Sequence, residues 1–150
     1  MFLLYILCWL LDIAGIGLAL FSAVKDDWQV NKIDKSHCGI WTCNYGESYW
    51  FTKILITVGC MTYILAFGLN VFTYLKKVEN HRLSIYMLIL TALCLTAAFA
   101  VFTNEIFRFN YYSQQFRFGV AYKCGIGSVP ASITSAVLQF FIIKSEFKNI

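Results

Sequence analysis

The stretch His37-Cys38-Gly39-Ile40-Trp41-Thr42-Cys43 gathers two thiols and an imidazole in one short polar segment. Thiolate and imidazole are zinc ligands, and two nearby thiols can form a disulfide or a redox pair. A redox pair would need a C-x-x-C spacing, which the chain lacks. A zinc site would need a fourth ligand, and the other histidine, His81, lies in a distant connection. A disulfide is therefore the expected chemistry, and no metal is expected. A Cys38–Cys43 bond would close a tight turn, so a bond from either residue to Cys124 competes with it. The remaining thiols, Cys8, Cys60 and Cys94, are isolated in apolar runs and read as packing residues.

Asp12 is the other residue with unusual chemistry, because it stands in the middle of an apolar run. No G-x-S-x-G, glycine-rich phosphate loop or pair of carboxylates spaced for acid–base work is present. These absences disfavour an enzyme, and neither a cofactor nor a nucleic acid is expected as ligand.

The elements that position these residues follow from composition. Of 150 residues, 59% are hydrophobic and only 13% charged, too few to cover a water-soluble domain of this size. Lipid must supply the cover. Four apolar runs, about 2–24, 51–75, 83–103 and 125–143, are long enough to cross a hydrocarbon core of roughly 30 Å. They are apolar on every face, which requires helices rather than barrel strands. The first run has no basic leader and contains Asp12, so it reads as a retained helix and not a signal peptide. The expectation is one tetraspan domain over residues 1–150, an all-α membrane protein with a small β cap.

Four spans place both termini on one side. The second connection, residues 76–82, is a tight turn, whereas the first (about 25–50) and third (about 104–124) are long and hold Cys38, Cys43 and Cys124. Thiols gathered on one side indicate an oxidising compartment, so the long loops are expected outside and the termini in the cytoplasm, at the plasma membrane. The basic residues pull the other way by raw count. Lys76, Lys77, Arg82, Lys144 and Lys148 would be inside, against Lys25, Lys32, Lys35, Lys53, Arg108, Arg117 and Lys123 outside. Density favours the stated orientation, since three of the seven residues in the inner turn are basic.

Helices meet in lipid through small and polar side chains. Asp12, Gly15, Ala19 and Ser22 fall on one face of the first span. Gly59, Thr62, Ala66 and Asn70 do so in the second, and Ser128, Ser132 and Ser135 in the fourth. These stripes predict an antiparallel bundle. A carboxylate near the bilayer centre costs at least about 2.5–3.5 kcal/mol, and no span offers a central Lys or Arg to pair with it. Asp12 is therefore protonated, hydrogen-bonded to Tyr63, Thr91, Thr96 or Ser135, or paired with another subunit. Internal hydrogen bonding is the expected outcome. In the third connection Phe107, Phe109 and Tyr111 alternate with Arg108 and Asn110, and Phe116 and Phe118 alternate with Arg117. That is strand spacing, with a turn at Ser113-Gln114. An aromatic belt at the membrane surface is compatible with the same residues.

A first span running into Asp26-Asp27-Trp28, followed by Gly39-Ile40-Trp41 and Cys43, resembles the claudin-like superfamily. That group includes claudins, peripheral myelin and epithelial membrane proteins, and gamma-type auxiliary subunits of calcium channels and glutamate receptors. The resemblance implies a left-handed four-helix bundle capped outside by a short antiparallel sheet, with a final strand just before the fourth helix. It also implies that Trp28 and Trp41 pack where the sheet meets the bundle. The chain departs from the family pattern in its W-x-C spacing, in Cys38 preceding Gly39-Ile40-Trp41, and in its short first loop. These trim the part of the cap that junction-forming claudins use. The function expected is thus a non-enzymatic auxiliary subunit that joins a channel, receptor or other membrane complex laterally and modulates its assembly or gating. Phe107, Phe109, Tyr111, Phe116 and Phe118 are candidate partner contacts, with homo-oligomers also conceivable. The alternatives are a cell–cell adhesion or paracellular barrier protein and a small integral-membrane enzyme.

Overall fold

A helix meets its own backbone hydrogen-bonding needs, so a chain this apolar can hide its peptide groups only by coiling its long apolar runs. A computed structural model describes residues 2–33, 35–42, 47–76, 81–113 and 116–147. Within these, four helices dominate: α1 (Phe2–Val24), α2 (Glu47–Lys76), α3 (His81–Ser113) and α4 (Val120–Phe147). Each contains a segment long and apolar enough to cross a membrane. The helices form a ring in which α2 packs most extensively on α3, and α1 on α4.

A small antiparallel sheet caps one end. It comprises β1 (Gln29–Asn31), β2 (His37–Cys38) and β3 (Phe116–Phe118), in the order β2-β1-β3. Gln29 faces both Cys38 and Phe118 across the two ladders. The central strand thus ties the α1–α2 connection to the α3–α4 connection.

The expected hairpin over 107–118 does not form. Phe107, Phe109 and Tyr111 belong to α3, and only Phe116–Phe118 is a strand, paired with β1 rather than with the preceding aromatics. The expected turn at Ser113-Gln114 includes a residue outside those described. Two helical signals outweigh the short alternation. Phe102 and Ile106, four residues apart, are both fully buried and carry the helical core stripe onward. Four residues later, the Asn110 amide donates to the Phe116 carbonyl and its oxygen accepts the Phe116 N–H, both at 2.9 Å. One side chain on the last turns of α3 thus does for Phe116 what a hairpin partner would have done. The third connection accordingly shrinks from the expected 104–124 to the few residues between α3 and α4.

The small-residue faces point inward. Asp12, Gly15, Ala19 and Ser22 of α1, Gly59, Thr62, Ala66 and Asn70 of α2, and Ser128, Ser132 and Ser135 of α4 are all buried. At Gly15 a Cβ would overlap the Tyr63 hydroxyl, so the missing side chain makes room for that ring between α1 and α2. Large side chains such as Leu10, Ile13, Met61, Leu65, Leu93 and Phe141 face outward instead.

Candidate functional site

Two regions hold the residues of interest: the junction of cap and bundle, and a polar layer inside the bundle. The junction is organised by consecutive residues Asp26, Asp27 and Trp28. Trp28 is fully buried, its indole N–H donating to the Ser22 carbonyl at the end of α1. Its ring stacks on Phe99 at 5.4 Å and meets Phe102 and Tyr122 edge-on at 4.8 and 5.7 Å. Asp27 works on the other side of the junction. Its Oδ2 accepts the Val120 N–H at 2.9 Å and its carbonyl accepts the Ala121 N–H at 3.1 Å, so it caps the start of α4. A carboxylate there satisfies otherwise orphaned amides and faces the positive end of the helix. The other oxygen, Oδ1, lies 2.9 Å from His37 Nδ1, which joins β2 to the same cap.

Asp26 and the Gly39-Ile40-Trp41-Thr42 turn interlock. Thr42 Oγ1 donates to Asp26 Oδ1 at 3.2 Å and accepts the Gly39 N–H at 2.8 Å. A Cβ on Gly39 would fall 2.6 Å from the Asp26 Cα, so only glycine lets the two backbones touch. Ile40 is fully buried in the core beneath the sheet. Trp41 is not. It remains 53% exposed, with its indole N–H donating to the Ala23 carbonyl at 2.7 Å. The expectation that both tryptophans pack between sheet and bundle therefore holds for the geometry of Trp28 only. Trp41 closes off an orphan carbonyl of the last turn of α1 and leaves its ring on the rim. Lys53 Nζ sits between two such rings, 6.0 Å from Trp41 and 5.5 Å from Trp50, within reach of cation–π attraction.

The aromatics expected at a partner contact divide. Phe107 is exposed, while Phe116 and Phe118 are half-buried, and Phe118 stacks on Tyr122 at 4.5 Å. Phe109 and Tyr111 lie on the same helix as Phe107, not on its strand neighbour.

Four cysteines are free thiols: Cys8, Cys60, Cys94 and Cys124. The alternative bond to Cys124 is consequently not formed. Cys43 lies outside the described residues.

The polar layer centres on Asp12, which is fully buried within the bundle. Asn70 Nδ2 donates to Asp12 Oδ2 at 3.2 Å and so links α1 to α2. Ser135 of α4 lies beside the same carboxyl and beside Cys8, and Tyr63 of α2 lies near it. Asp12 Oδ1, Asn70 Oδ1, the Tyr63 and Ser135 hydroxyls and both polar atoms of Gln139 are buried with no hydrogen-bond partner among the described residues. Of the other groups expected near Asp12, Thr91 pairs with Thr62 at 2.8 Å across α2 and α3, and Thr96 is exposed on the outside of the bundle. Ser84 donates to the Ala66 carbonyl at 3.0 Å, a second link between those helices.

Sequence reasoning missed two participants. Gln139 carried a signal, being a polar residue one turn beyond Ser135 on the small-residue face of the fourth span. The capping role of Asp27 had none, because its target amide lies 93 residues away in the chain. No family model and no curated protein matches this chain.

Proposed function

We propose that the chain is a divergent claudin-like integral membrane protein acting as a non-enzymatic auxiliary subunit. It joins a channel, receptor or other membrane complex laterally and modulates its assembly or gating. In this reading the termini are cytoplasmic and the sheet caps the bundle on the extracellular side of the plasma membrane.

The observation that carries the proposal is the segregation of side chains in the four helices. The carboxyl and carboxamide groups at span depth turn inward, with Asp12 on Asn70, as do Thr62 on Thr91 and Ser84 on Ala66, while exposed Leu, Ile, Phe and Met side chains cover most of the outside, interrupted by small hydroxyls such as Thr96. Such an exterior offers lateral contact with lipid or with other spans. Asp12 is sealed inside, which removes it as a contact for another subunit and leaves the aliphatic and aromatic faces for that task. The cap supports the reading in a second way. Its half-exposed Trp41, together with Trp50 and Lys53, forms an amphipathic rim at the level where a partner's outer segment would meet the bundle. Exposed tryptophans are enriched at protein–protein interfaces.

A Cys38–Cys43 bond completes the proposal, since each of the four other thiols is free. It would staple the Gly39-Ile40-Trp41 turn that holds Trp41 on the rim.

Affinity capture of the full chain from mild detergent, followed by mass spectrometry, tests the function. The expected result is reproducible co-purification of one larger membrane complex. Recovery of the chain alone across several mild detergents would count against lateral association.

A further inference from the structure

The outer seam between α3 and α4 carries a feature that lateral association does not explain. A trough of about 500 Å³ runs along it, walled by exposed side chains including Leu93, Ile133 and Val137. It exists because Ala92 and Ala136 form its floor, where larger residues would fill the gap. Its size lies within the roughly 300–1,000 Å³ that small-molecule sites occupy. At one end it continues into a second hollow of about 450 Å³, sharing Ile85 and Phe140 with it and lined also by Arg82 and Lys144.

Those two cations define the mouth. Arg82 stands in the first turn of α3 and Lys144 in the last turn of α4. Among the described residues neither takes part in an ion pair. At a helical rise of roughly 1.5 Å per residue, the trough reaches roughly 21 Å from Arg82 to Thr96 and roughly 16 Å from Lys144 to Ile133. Half of a hydrocarbon core is roughly 15 Å deep. The seam thus offers an apolar slot about one leaflet deep, with two positive charges at the water end that no described residue pairs.

We infer that this seam is a binding site for one anionic phospholipid, its phosphate held between Arg82 and Lys144 and an acyl chain lying over Ala92 and Ala136. Charge complementarity selects this occupant. A zwitterionic lipid brings its own cation to the mouth and would answer Arg82 and Lys144 less fully, and the apolar face of another copy would offer neither cation an anion. The guanidinium matches phosphate oxygens in a bidentate fork, while the lysine adds a mobile point charge. The inference rests on insertion of the four spans and not on the identity of any protein partner.

The test uses the full chain in non-ionic detergent, titrated with phosphatidylglycerol or with phosphatidylcholine of the same chain length, and read by native mass spectrometry. Phosphatidylglycerol is expected to bind as a single retained adduct, tighter than phosphatidylcholine. A surface cation near an anionic headgroup is worth about fivefold in affinity, so Arg82→Gln and Lys144→Gln should each weaken binding about fivefold, and together about 30-fold. Ile133→Trp should reduce binding of the same lipid by filling the trough without touching a charge. Arg108→Gln, outside the seam, should change nothing. Equal binding of the two lipids would overturn the inference. So would indifference to the double substitution, or a lipid-free dimer that Ile133→Trp disperses. If the charge variants fail to fold, the Ile133→Trp result alone decides between a seated lipid and a diffuse annulus.

Discussion

Replacing Asn70 by leucine removes the hydrogen bond that reaches the Asp12 carboxyl from α2. Asp12 Oδ1 has no hydrogen-bond partner among the described residues, so the substitution leaves the buried carboxyl only the neighbouring Ser135 hydroxyl. Leaving one buried polar group unsatisfied costs about 1–3 kcal/mol. Asn70→Leu should therefore destabilise the bundle by up to about 3 kcal/mol, far more than the average of about 0.6 kcal/mol for hydrogen bonds between membrane helices. Asp12→Asn, which keeps the shape and drops the charge, should cost less than about 1 kcal/mol. Replacing both residues by leucine should come within about 1 kcal/mol of the parent, because two apolar groups need no partners. Unfolding in mixed micelles by added dodecyl sulfate, followed by tryptophan fluorescence, measures all three, and the single variant Asp12→Leu, measured alongside, closes the double-mutant cycle. A coupling of about 2 kcal/mol is expected. If Asn70→Leu were neutral, or the double variant were worse than either single one, the placement of Asp12 as an internally bonded group would be wrong. The same Asp12→Asn protein separates functions: an auxiliary subunit should still capture its partner, whereas an enzyme built on Asp12 would lose turnover.

Further outcomes follow from the cap. Trp28→Ala should cost about 3–5 kcal/mol by opening a cavity among Phe99, Phe102 and Tyr122, while Trp41→Ala should cost only about 1 kcal/mol and instead weaken partner capture; parallel unfolding curves and capture yields distinguish them. Asp27→Ala should lower stability by about 1 kcal/mol and speed amide hydrogen exchange at Val120, whose partner is the lost carboxylate, more than at Ala121, whose partner is the retained Asp27 carbonyl, with little change at mid-span. Peptide mapping without reductant should recover Cys38 linked to Cys43 and Cys124 as a free, alkylatable thiol; a peptide linking Cys124 to either residue would refute the assignment.

Much of the architecture was legible because it depends on local pattern. Hydropathy and length mark four spans, and helical period alone groups Asp12 with Gly15, Ala19 and Ser22, all of which are buried. The boundaries were less legible. Phe107, Phe109 and Tyr111 alternate with polar residues over too few positions to tell a strand from the end of a long helix. The deciding contact, Asn110 with the Phe116 backbone, spans the connection itself. Trp41 illustrates a different loss. A tryptophan in a short motif satisfies its N–H equally well buried or on a rim, and only the position of the Ala23 carbonyl decides between them.

Composition and periodicity by themselves determined that the chain forms long apolar helices with inward polar stripes, because a backbone surrounded by lipid has few ways to satisfy its own hydrogen bonds. Tertiary structure alone decided which groups meet across those stripes. Asn70 reaches Asp12 across 58 residues of chain, and Asp27 reaches the start of α4 across 93. The Arg82–Lys144 mouth likewise arises only where α3 begins beside the end of α4. Such pairings depend on how helices rotate and slide against one another, and that is set by close packing at positions such as Gly15 against Tyr63 rather than by any property of one segment.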